Sequence, residues 1–182
     1  MLAHTIVAIA TALTLVVPGA RAAQTGEPKP SRGTASPPSM ANELLARHNL
    51  ERSERGVPVL AWDPALAQGA QAYADELARV NLLRHSPKGN RRGIGENLWM
   101  GTRDYYRPSM MVGTWASERS MFRAANFPAV SSTGNWADVG HYTQIIWPGT
   151  QRVGCAIGKS ANSDVLVCRY WPSGNVDGQR VY

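Results

Sequence analysis

The sequence predicts a mixed α+β fold in one domain. Three runs carry apolar residues at helical spacings of three and four, and short strand-like runs lie between and after them. Two of those strand-like runs, RVGCAIG around Cys155 and VLVCRY around Cys168, flank a polar turn at Lys159 to Asp164 and so suit antiparallel pairing. About 140 residues follow a proline-rich stretch, the usual size of a domain with one core.

The chain opens with an apolar run, Ile6 to Val17, then a Pro18-Gly19 break and Ala20-Arg21-Ala22, a small-x-small cleavage pattern. Residues 1–22 therefore read as a secretory signal peptide, although the stretch ahead of the run has no Lys or Arg. The run is shorter than the roughly 20 residues needed to span a bilayer. An exported protein is expected, extracellular or, in a Gram-negative bacterium, periplasmic. Residues 23–39 hold Pro28, Pro30, Pro37 and Pro38 among Gly, Ser, Thr and Lys, a composition that cannot bury enough apolar surface to offset backbone ordering. They read as a disordered linker, which leaves residues 40–182 as the domain.

A first helix is expected from Ala41 to Arg55, stopped by Gly56 and Pro58, with Leu44, Leu45, His48 and Arg52 on its inward stripe. His48 reads as a structural histidine. A second helix starts at Asp63-Pro64, an N-cap followed by proline at the first helical position, and keeps an apolar face from Leu66 to Val80. It delivers the chain to His85 in a loop stiffened by Pro87. Gly95 to Trp99 reads as a short strand. A third helix, Ser109 to Phe122, stacks Met111, Trp115, Glu118 and Phe122 on one face. Glu118 is then a carboxylate on an apolar stripe, to be protonated, paired, bound to a cation or set at a groove edge. The segment Gly140 to Thr150, GHYTQIIWPGT, places His141 and Gln144 among apolar neighbours, where each needs a hydrogen-bond partner or a ligand. Periodicity does not decide between helix and strand over so few residues.

The formal charge is +6, or +5 once Arg21 leaves with the signal peptide, so acidic lipids or cell-wall polymers are favoured partners. Basic residues are scattered apart from Lys88 to Arg92, and no aromatics interleave that cluster, which argues against nucleic acid. Two cysteines in an exported chain predict one disulfide, Cys155 with Cys168, two free thiols being the alternative. No HExxH helix, GxSxG elbow or unpaired catalytic cysteine is present, which weighs against the common hydrolase chemistries.

Four motifs carry a resemblance. GHYTQIIWPGT resembles the first signature of the CAP superfamily, which groups cysteine-rich secretory proteins, venom allergens and plant pathogenesis-related proteins. Val165 to Val176, VLVCRYWPSGNV, resembles its second, with Cys168, Tyr170, Pro172, Gly174 and Asn175 in register. His48-Asn49 with Arg52 matches HNxxR, and Gly95-Glu96-Asn97 matches GEN. The resemblance runs from Met40 to Tyr182 with the motifs in the family's order.

The resemblance implies a three-layer αβα sandwich with a mainly antiparallel central sheet, and a short helix at His141. It implies a central cleft lined by His85, Glu96, Glu118 and His141, a set able to hold zinc or another divalent cation, with Tyr142 and Gln144 as further cleft residues. His48, Asn49, Arg52 and Asn97 are implied as structural, and Cys168 as half of a bridge. The function expected is a secreted, non-enzymatic binding protein for a lipid, a sterol or an envelope ligand, in defence or host interaction. Tyr105, Tyr106 and Pro108, in the loop from Met100 to Met110, are weighed as part of an apolar site and as ordinary surface. The alternative is a metal-dependent hydrolase of peptidase type in which Glu96 or Glu118 acts as general base. A third reading makes the four residues a structural network in an interaction domain.

Overall fold

The computed structural model describes residues 39–182. The expectations for residues 1–22 and 23–38 lie outside them, and Ser39, assigned to the linker, is the N-cap of the first helix, accepting from the Asn42 amide. Four helices and four strands follow: α1 Met40–Glu54, β1 Ala61–Trp62, α2 Pro64–Val80, β2 Gly95–Thr102, α3 Pro108–Ser117, α4 Gly140–Ile145, β3 Arg152–Lys159 and β4 Ser163–Trp171. The sheet order is β1-β3-β4-β2, with β1 parallel to β3 and the other pairs antiparallel. The expected sandwich is the observed fold. β1, two residues long, has no period to read and was not expected.

Strand alternation sorts the core into two layers. On one face of β4, Val165 and Val167 meet Ala70, Tyr73, Ala74 and Leu77 of α2, together with Leu98 and Ala156. On the other, Leu166, Cys168 and Tyr170 meet Leu44 of α1, Met111 and Trp115 of α3, and Tyr142 and Ile145 of α4. Helix α2 lies so close to β3 that a Cβ on Gly154 would come within 2.2 Å of the Ala67 nitrogen, and one on Gly158 within 2.3 Å of the Ala74 carbonyl oxygen. Cys155 and Cys168 are cross-strand partners and form a disulfide.

The four residues expected to be structural tie these layers together. His48 is fully buried, and burial lowers its pKa to about 4, so its ring is neutral. Its Nδ1 donates to the Leu44 carbonyl at 2.8 Å, which makes Nε2 the acceptor of the Tyr170 hydroxyl at 2.8 Å. The Tyr170 oxygen in turn accepts from Asn97 Nδ2, which also donates to the His141 carbonyl. α1, β4, β2 and α4 thus share one chain of hydrogen bonds. The Asn49 amide exchanges two hydrogen bonds with the Leu60 backbone. Arg52 spreads its guanidinium over the carbonyls of Pro58, Ile145, Trp147 and Thr150.

Helix α3 is shorter than its apolar spacing predicts. It ends at Ser117, and Glu118–Ser120 form a 3₁₀ turn that takes Glu118 and Phe122 off the helical face. Among the described residues no helix is long and apolar enough to cross a membrane.

Candidate functional site

Helix α4 has six residues, and Val139 before it supplies no side-chain cap. Glu118 caps it from a distance: Oε2 accepts the amides of His141 at 3.1 Å and Tyr142 at 3.0 Å. A carboxylate there also meets the positive end of the helix dipole. Its second oxygen accepts from His141 Nδ1 at 2.6 Å, and the imidazole stacks on the Trp115 ring, 5.7 Å away and tilted by 14°. The His141 ring is therefore fixed from its edge and from its face.

His85 reaches the same cleft from the loop after α2. Its Nδ1 donates to Glu96 Oε1 at 3.0 Å, and Glu96 also takes the Ser86 amide at 2.9 Å and the Ser86 hydroxyl at 2.8 Å. Burial pushes the Glu96 carboxyl up, but the hydrogen bonds from His85 and Ser86 and the Arg91 charge outweigh it and hold the group below the usual carboxylate range. Each imidazole thus spends Nδ1 on a glutamate, and among the described residues neither Nε2 has a protein partner.

Both histidines line a cleft of about 960 Å³. Its lining is mixed, with His85, Ser86, His141, Gln144 and Asn175 polar, Phe127, Pro128 and Trp136 apolar, and Lys88 and Arg91 basic.

The expected four-ligand set separates into two imidazole–carboxylate pairs. Glu96 contributes to the cleft wall, but its side chain is 0 % exposed. Both oxygens of each glutamate accept N–H or O–H groups, and one oxygen of each orients its histidine. Among the described residues, only His48, Cys155 and Cys168 bring three potential ligand atoms within 4.8 Å of one another. That trio cannot hold an ion, because the sulfurs are bonded to each other and both His48 nitrogens are engaged.

Two further expectations shift. Tyr142 is absent from the cleft wall: its ring lies in the core, 1 % exposed, and its hydroxyl accepts from Arg55. Gln144 lines the cleft, yet its amide bonds Gly174 at 2.9 Å and Thr150 at 3.2 Å, so it holds the wall together. A Cβ on Gly95 would stand 2.1 Å from Gln144 Oε1, so a larger residue there would displace the Gln144 side chain. The loop with Tyr105 and Tyr106 contributes nothing to this cleft; Tyr106 packs on Trp99, and Tyr105 is exposed.

Ser86, Arg91, Asn175 and Arg169 belong to the site and were not assigned roles from sequence. Asn175 bonds the Gly140 carbonyl and the Thr143 hydroxyl, pinning the start of α4. Arg169 had a visible signal: it is a charge that follows Val165 and Val167 on the α2-facing register of β4.

A family model described as the cysteine-rich secretory protein family, CAP, matches residues 45–170. Pathogenesis-related protein 1B of Nicotiana tabacum is 36% identical over 141 residues, covering 77% of this chain and 79% of that protein. The Golgi-associated plant pathogenesis-related protein 1 of Homo sapiens is 34% identical over 147 residues, covering 79% and 90%. Among solved structures, NaASP2 with Zn2+ superposes with a TM-score of 0.66 at 24% identity over 80% of this chain and 86% of that one. BmVAL-1 gives a TM-score of 0.66 at 22% identity over 83% and 85%. At these identities the structural likenesses speak to the fold alone.

Proposed function

Because the chain belongs to the cysteine-rich secretory protein (CAP) family, we propose that it is a secreted binding protein whose cleft holds a divalent cation at His85 and His141. The observation that carries this reading is the pair of imidazoles facing one cleft, each with Nδ1–H on a carboxylate and Nε2 free. That is the tautomer a first-row divalent ion needs, and the carboxylate raises the basicity of the free nitrogen. Zinc suits two neutral imidazoles, and a site with two protein ligands keeps positions open for a ligand. NaASP2, a protein of the same fold, has been crystallised with Zn2+, which makes zinc the first ion to try.

The ligand is an amphipathic molecule, in the class of lipids, sterols or envelope components. Its support is the mixed polar and aromatic lining of the cleft, at a volume near the upper end of small-molecule sites. Export is supported by the apolar run and cleavage pattern in residues 1–22.

Calorimetric titration of zinc into the signal-free protein and into a His85→Ala, His141→Ala double variant tests the reading. Saturable one-site binding lost in the variant is expected. Identical traces from two folded proteins would leave the four residues as a structural network. Zinc-dependent turnover of a peptide library would replace binding by hydrolysis as the function.

A further inference from the structure

Behind His85, on the side of the sheet covered by α2, lies a second cavity of about 420 Å³, with Tyr73, Glu76, Arg84, His85, Asn90 and Arg169 in its wall. Arg169 is the unusual member. Its guanidinium makes no hydrogen bond among the described residues, and its Nε is buried without an acceptor. The nearest carboxylate oxygen, Oε2 of Glu96, is 3.8 Å away and is already bonded to Ser86. Tyr73 lies under the guanidinium, 5.9 Å from ring centroid to Cζ. A guanidinium is five donors in a planar fork, and burying one N–H without a partner carries a cost that a ligand would remove.

The surroundings favour an anion. Between Arg84 and Arg92 the chain places Arg84, Lys88, Arg91 and Arg92 with no acidic residue. Glu76 is the opposing charge on the wall, and it is paired with Arg84 at 3.3 Å. The Glu96 carboxylate is enclosed by its own donors and presents no exposed surface.

We infer that this cavity is an oxyanion site, in which the Arg169 fork, aided by Arg84, binds a phosphate or sulfate group. Planar guanidinium–oxyanion pairing supplies the two parallel N–H···O bonds that Arg169 lacks. His85 and Ser86 line both this cavity and the cleft, so the two sites are neighbours. The inference does not depend on a cation in the cleft.

Inorganic phosphate titrated into the full chain in the presence of a chelator, followed by the arginine Nε–H signals in NMR, tests it. A saturable shift of the Arg169 signal is expected. Arg169→Gln weakens the binding about tenfold or more, and Arg152→Gln, on the same face of the sheet but paired with Asp63 and absent from the cavity wall, leaves it unchanged. A linear, non-saturating shift, or the same curve in folded Arg169→Gln, overturns the site. The Arg84 side chain is exposed and among the described residues bonds only Glu76, so Arg84→Gln is expected to fold. If Arg169→Gln does not fold, saturable binding undiminished in Arg84→Gln with an unmoved Arg169 signal overturns it equally. Phosphatidylglycerol vesicles form a second arm: vesicle binding displaced by phosphate makes a lipid headgroup the source of the anion. Vesicle binding that persists, alongside saturable phosphate binding, makes the source a free ion.

Discussion

A buried histidine and a capping glutamate show how much single groups decide here. His48 has a folded pKa of about 4 against 6.5 for the free side chain, so the unfolded chain takes up its proton first as pH falls. Its stabilising contribution is complete above pH 6.5 and is lost between 6.5 and about 4, amounting to about 3 kcal/mol. Urea unfolding at pH 7, 5.5 and 4 is expected to show this slope in the native protein and to show it reduced in His48→Gln. Glu118 serves two clients, the amides that begin α4 and the His141 ring. In Glu118→Gln the amide oxygen stays on the two backbone N–H groups and the NH2 faces Nδ1. The imidazole must then carry its proton on Nε2. The fold is expected to survive while zinc affinity falls about 10- to 100-fold, measured by competition with a chromogenic chelator. Glu118→Ala is expected to cost about 1 to 2 kcal/mol in stability as well, because the cap itself is gone.

At the scale of elements, α4 is the most dependent part of the structure. Six residues are too few for a helix to form on its own, and this one is held by Glu118 at its start and by Arg52 at its end. Burial lowers the Arg52 pKa to about 10, and the carbonyls around it replace the water it has lost. Arg52→Met leaves those carbonyls without donors, and a loss of at least about 3 kcal/mol by chemical denaturation is expected. The helices with long apolar faces were legible in the chain, and α2 begins at its Asp63-Pro64 signal and ends at Asn81 in the left-handed conformation. The end of α3 was not, because Glu118 leaves the helix in order to reach α4, and the attraction comes from 23 positions away in sequence. Tyr142 was misplaced for a related reason. It neighbours His141 in the chain, but successive residues of a helix point about 100° apart, and its ring turns into the core.

Taken whole, the domain is a sheet clamped between α2 and the α1, α3, α4 layer, with one covalent tie. Reducing the Cys155–Cys168 bond opens a short loop and is expected to lower stability by about 2 to 3 kcal/mol without changing the fold, measured by urea unfolding with and without reductant. The strand ladder pairs the same two residues independently of the bond. The layered architecture and both cleft histidines could be anticipated from motif order. The division of labour between imidazole and carboxylate could not, because it depends on which oxygens the backbone amides claim. The two histidines also differ in how they are mounted. His141 rides on a helix fastened by α1, β2 and the 3₁₀ turn after α3, so moving it means rebuilding the domain. His85 stands on the connection between α2 and β2, where Ser86 is bonded to Glu96 but the 3₁₀ turn that follows, Lys88–Arg91, buries no residue and belongs to neither layer. Length changes in that connection are therefore the cheapest route by which the aperture between the two imidazoles, and with it the size of the guest, can be retuned.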